Sequence, residues 1–158
     1  MSPAMSDAYK DAYKKAIRPI GRWQWTRHPE PLFCREFYLD ENPDVRRWGG
    51  DPYIHFIRYG RFEKRMPNPF LDLDFYERHM VPLAPGYGFE TAFDHFKNIG
   101  SMADLWPCGT FDPVYYRERY EALSNSVIVN SLEHFLTVGI SLGYFCTHPC
   151  YGNMEGML

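Results

Sequence analysis

Apolar residues recur every third position along three short stretches: Tyr53, Phe56 and Tyr59; Phe93, Phe96 and Ile99; Leu132, Phe135 and Val138. That spacing over about two turns puts each trio on one face of a helix. The polar frame around each stripe is also shared. Asp51, Thr91 and Asn130 precede the stripes, where a side-chain oxygen can accept from the free N–H groups of a first helical turn. Gly60, Gly100 and Gly139 close them, where a left-handed glycine can end a helix without a Cβ penalty. His55-Phe56, His95-Phe96 and His134-Phe135 sit at their centres.

A second pattern precedes each stripe. Phe33 and Phe37, Leu71 and Phe75, and Phe111 and Tyr115 are each four residues apart, so each pair shares a helix face, and Tyr38, Tyr76 and Tyr116 follow directly. Asp112-Pro113 reads as an N-cap with proline at the first helical position, and Asn42-Pro43-Asp44-Val45 as a turn that restarts a short helix. The pairing of the two patterns predicts an all-α chain of three tandem helix-pair repeats of about 40 residues, over 31–69, 70–109 and 110–149. Residues 81–88 are expected to form a Pro/Gly-rich surface loop presenting Tyr87. Residues 1–30 form an arm with a helix over 6–18 that ends before Pro19 and caps the first repeat. Its basic residues also suit an electrostatic docking arm. Residues 150–158 are a short C-terminal tail.

Composition narrows the function classes. A chain of 158 residues with 45% hydrophobic and 18% aromatic content builds a packed domain. The net charge of -3 and pI near 6.0 argue against a nucleic-acid partner. No apolar run approaches the ~20 residues that cross a bilayer, and the first residues lack the apolar core of a secretory signal. The expectation is synthesis in the cytoplasm. Cys34, Cys108, Cys146 and Cys150 are too sparse for a disulfide framework. Cys146, His148 and Cys150 would supply three metal ligands in one short loop, but no paired motif completes them, so neither metal nor cofactor is expected. A Cys146–Cys150 disulfide would need an oxidising setting.

No catalytic constellation stands out. His55, His95 and His134 recur once per repeat, whereas one active site needs such a residue once; they read as structural, bonded to a neighbouring backbone group. Asp72 with Asp74, and Asp112 with Glu118, have the residue types of acid/base pairs, but Asp72 and Asp112 are better used as caps. The better candidates are aromatics outside the stripes: Trp23, Trp25, Trp48, Tyr87 and Trp106. Flat rings with a polar edge suit sugar faces and protein interfaces alike. Arg22, Arg61 and Arg65 have the forked donors that hold an acidic sugar.

Phe111-Asp112-x-x-Tyr115-Tyr116, Asn42-Pro43-Asp44-Val45, and Asp51-Pro52-x-x-His55 with Gly60, Glu63, Arg65 and Pro67 resemble short bacterial helical repeats. Such repeats accompany glycosyltransferases and other cell-surface polysaccharide proteins. The resemblance covers 31–149; the third copy lacks the Glu-x-Arg pair. With no transferase domain beside the repeats, the resemblance implies association with surface glycans rather than transferase activity. The expectation is a non-catalytic module that recognises bacterial surface polysaccharide, as a spike or adsorption protein of a phage-like particle. The alternative is a cytoplasmic adaptor that docks on polysaccharide-synthesis enzymes. Exposed repeat ends also make a homo-oligomer plausible.

Overall fold

A computed structural model of the chain describes residues 29–86 and 88–146. The helix expected over 6–18, the tail 150–158, Arg22, Trp23, Trp25, Tyr87, His148 and Cys150 lie outside the described residues. Those described are all-helical, without strands. Helices α1 (Arg35–Glu41), α2 (Pro43–Trp48) and α3 (Pro52–His55) come first, then α4 (Leu73–His79) and α5 (Ala92–His95), then α6 (Pro113–Ser124) and α7 (Ser131–His134). A single 3₁₀ turn, Val81–Leu83, follows α4. No helix among the described residues is long and apolar enough to cross a membrane.

The caps explain where these helices begin. Asp51 Oδ1 accepts from the N–H groups of Tyr53 at 2.8 Å and Ile54 at 3.2 Å. Asn130 Oδ1 accepts from Glu133 N–H at 3.0 Å, and the more distant Thr91 Oγ1 from Asp94 N–H at 3.4 Å. Asp72 and Asp112 cap α4 and α6 in the same way. Asp72 and Asp112, one from each suggested acid/base pair, therefore accept from backbone donors. Each segment is also tied shut: the N–H groups of Cys34, Asp72 and Asp112 donate to the carbonyls of Pro67, Pro107 and Cys146 at 2.9, 3.0 and 2.9 Å.

The helix ends depart from the sequence expectation. Helices α3, α5 and α7 do not stop at the glycine; each widens into a π-helical turn, Phe56–Gly60, Phe96–Gly100 or Phe135–Gly139. The N–H groups of Arg61, Ser101 and Ile140 donate five residues back, to Phe56, Phe96 and Phe135. The three glycines are not left-handed. Positive φ falls four residues later, at Lys64 (58°), Asp104 (56°) and Gly143 (72°). The wider turn also breaks the expected stripe. Phe56, Phe93, Phe96, Leu132 and Phe135 are buried, whereas Tyr59 and Val138 are exposed and Ile99 is half-buried. An extra residue per turn rotates the third member of each trio off the inward face.

Aromatic contacts make the core continuous between segments. Phe56 meets Phe93 edge-on at 4.9 Å, and Phe70 meets Phe135 edge-on at 5.0 Å. Buried Asn68 replaces lost backbone partners at one crossing: its Nδ2 donates to Leu32 O and its Oδ1 accepts from Phe70 N–H, both at 2.8 Å. Two corresponding ion pairs bridge neighbouring segments with opposite polarity. Lys64 Nζ meets Glu77 at 2.5 Å, and Asp104 holds both forks of Arg117, one at 2.7 Å. Exchanging the partners would set Lys64 against Arg117 and Asp104 against Glu77. The reversal of sign thus favours one stacking order.

Candidate functional site

The three histidines share one environment. Tyr38 Oη lies 3.0 Å from His55 Nδ1, Tyr76 Oη 2.7 Å from His95 Nδ1, and Tyr116 Oη 2.6 Å from His134 Nδ1. The partner is thus a tyrosine hydroxyl from an earlier helix (α1, α4 or α6), where the sequence suggested a backbone group. His95 also meets Ala84 O through Nε2 at 2.7 Å. A carbonyl only accepts, so His95 Nε2 carries the proton and its Nδ1 accepts from Tyr76. Burial pushes all three tyrosine hydroxyls well above the usual phenol range and keeps them protonated donors.

The same hydroxyls account for the glycines. A Cβ on Gly60, Gly100 or Gly139 would overlap Tyr38, Tyr76 or Tyr116 Oη respectively. In each Tyr–His–Gly trio the tyrosine is at 0% exposure. The tyrosine hydroxyls are therefore enclosed, while His55 and His134 stay partly exposed.

Burial pulls the His134 imidazole below its usual range. Its neutral form is therefore favoured in the folded chain. This contribution to stability is full above the unfolded value near 6.5 and is lost as pH falls through the lower folded value. Urea midpoints should be lower at pH 5.5 than at 7.5, and His134→Gln should reduce that difference. An unchanged difference in the variant would remove His134 as its source.

Around His55 the surface opens. A groove of about 400 Å³ is lined by Asp44, Val45 and Trp48 of α2, and by Ile54, His55, Arg58, Tyr59 and Glu63. Trp48 is 57% exposed and Tyr59 55%. The His55 ring lies between them, 5.9 Å from Trp48 and 5.5 Å from Tyr59. Two glycines set the Trp48 ring in place. Gly49 takes φ 78° and returns its N–H to Val45 O, ending α2. Gly50 then lies under the indole: a Cβ there would stand 2.6 Å from Trp48 Cζ2 and closer still to two further ring atoms. This exposed ring is held as a platform.

A polar clasp supports the groove floor. Arg65 donates to Asn42 Oδ1 at 2.9 Å, to Asp44 at 2.9 Å and to Glu63 at 2.6 Å. Asn42 in turn donates to Tyr38 O at 2.7 Å. The Arg65 hydrogen bond holds the Asp44 carboxyl down to about 2, so the carboxylate stays ionised. The clasp joins the Asn-Pro-Asp and Glu-x-Arg motifs physically. Other segments fill the corresponding positions with apolar groups: Met80 and Leu105 pack on the core, while Tyr120 and Tyr144 stack at 3.8 Å and 5°.

The remaining candidates separate clearly. Arg61 is committed to Asp94 at 2.6 Å and Glu90 at 3.2 Å, and Arg65 to the clasp, so neither guanidinium is free to hold an acidic sugar as expected. Trp106 is half-buried and lies outside the groove. Sequence reasoning missed Arg58 and Tyr59: the first was passed over, and the second was placed on the inward stripe. The π-turn brings Tyr59 to the surface beside Arg58. Cys34 and Cys108 are buried thiols pushed up by burial, Cys34 to about 11, which makes them unreactive. Among the described residues no group of His, Cys, Asp and Glu is arranged to hold a metal ion.

Comparisons with known protein families, characterised proteins and solved structures return no match for this chain.

Proposed function

We propose that this chain is a non-catalytic binding module for bacterial surface polysaccharide, built as three tandem helix-pair repeats capped by its N-terminal arm. The groove beside α2 and α3 is its recognition site. The observation that carries this reading is the Trp48 ring, bedded on Gly50 and exposed beside Tyr59 and His55. A solvent-facing indole has desolvation to gain only when something covers it. The C–H face of a pyranose fits a flat ring, and Asp44, Glu63 and Arg58 supply polar partners for its hydroxyls. A spike or adsorption protein of a phage-like particle is the wider setting proposed for such a module.

Titrating the chain against a panel of capsular and O-antigen polysaccharides, followed by Trp fluorescence, tests the reading. Saturable binding to one of them is expected. Trp48→Ala should weaken it by at least about tenfold, a loss near 1.4 kcal/mol, while moving the melting temperature by no more than a few degrees. Binding that survives the substitution would place recognition elsewhere.

A protein-docking adaptor is the second reading. It is favoured by Leu123, Val127 and Val129, all strongly exposed around the end of α6. Recovery of a glycosyltransferase from lysate, lost on Val127→Asp, would support it over glycan binding.

A further inference from the structure

The charges around the groove bear on which glycans it accepts. Two carboxylates line it, Asp44 and Glu63, and two guanidinium groups answer them. Arg65 lies behind the carboxylates and bonds to both, at 2.9 and 2.6 Å. Arg58 lines the groove and makes no ion pair among the described residues. The four formal charges cancel. We infer that the groove selects uncharged sugar units, a neutral hexopyranose stretch of a polysaccharide, and rejects uronic acids and other anionic sugars; this rests on the glycan-binding reading above.

The chemistry follows from the inventory of donors and acceptors. Each carboxylate has about four lone-pair sites, and Arg65 uses only part of them. The rest can accept from sugar hydroxyls. Arg58 donates to ring or hydroxyl oxygens, and the partly exposed His55 ring lines the groove beside it. Trp48 covers the apolar face. A sugar carboxylate, by contrast, would add a third negative charge beside Asp44 and Glu63 against two guanidinium groups, of which Arg65 is already bonded to both carboxylates.

The test uses the full chain and three polymers, a polyglucuronan, a polygalacturonan and a polymannuronan, each as the native acid and after reduction of its carboxyl groups to neutral hexose. At least one reduced polymer should bind about tenfold or more tighter than its acid form. Binding of that polymer should change less than about twofold between 50 and 500 mM salt, because no net charge is neutralised. Trp48→Ala should abolish it, and Arg58→Gln should weaken it without reversing the preference. Tighter binding of an acid form, or equal binding of both forms, lost in either case in Trp48→Ala, overturns the selectivity and leaves the glycan site standing. Failure of all six polymers to bind overturns the glycan-binding reading and the selectivity with it.

Discussion

Gly100→Ala should destabilise the chain by about 3 kcal/mol, enough to lower its melting temperature by roughly 6–12 °C. Helix propensity alone points the other way, since alanine is favoured over glycine by about 1 kcal/mol in a helix interior. The steric term outweighs it. A Cβ at this position would overlap Tyr76 Oη and stand 2.8 Å from Tyr76 Cζ. Tyr76 is fully buried and His95 nearly so, with the imidazole bonded at both nitrogens, so neither ring has room to retreat. Moving the hydroxyl would leave His95 Nδ1 buried without a donor, which costs a further ~1–3 kcal/mol. A double-mutant cycle isolates the cause. Tyr76→Phe alone forfeits the hydrogen bond, but it removes the oxygen that the new methyl would strike. The double variant should therefore be less destabilised than the sum of the single changes by about 1 kcal/mol or more. Strict additivity in urea unfolding would show that the glycine serves another purpose.

Phe56→Ala should cost about 4 kcal/mol, a large part of the 5–15 kcal/mol that holds a domain folded. Phe56 has no exposed surface. It packs against Phe33 at 5.6 Å, Tyr38 at 5.7 Å and Phe93 at 4.9 Å. Those neighbours come from the chain before α1, from α1 and from α5, so the cavity opens where two segments meet and has few ways to close. Tyr59, one step further along the same trio, gives the contrast. It is 55% exposed, and Tyr59→Ala should change stability by no more than about 0.5 kcal/mol. Urea denaturation of the two variants side by side checks the pair. Similar losses at both positions would mean that the helix keeps its α-helical face to the glycine. Hydrogen exchange extends the test: Phe56→Ala should weaken protection in α5 as well as α3, because Phe93 loses its partner.

The same comparison shows how far the pattern of residues could be read. The starts of the helices were legible because their signals are local. Asp51, Asp72, Thr91, Asp112 and Asn130 act on N–H groups two or three residues away, and Pro52 and Pro113 preset the backbone of the first turn. The buried aromatics were legible for a similar reason, since a spacing of three or four residues is a property of one helix. The site was less so. Trp48 stood out by being off the stripe, but Arg61 and Arg65 looked as available as any surface arginine.

The sequence by itself determined an all-helical chain, where its helices begin and most of the rings they bury. Those depend on contacts within a turn or two, which a linear pattern records. Only the tertiary structure decided what the glycines, histidines and arginines do. Gly60 is required by a hydroxyl on Tyr38, His55 is held by a residue 17 positions away, and Arg61 is committed to one 33 positions away. Partners at that separation leave no periodicity in the chain. The open groove follows from the same cause: the π-turn carries Tyr59 outward to line it with Trp48, which comes from another helix.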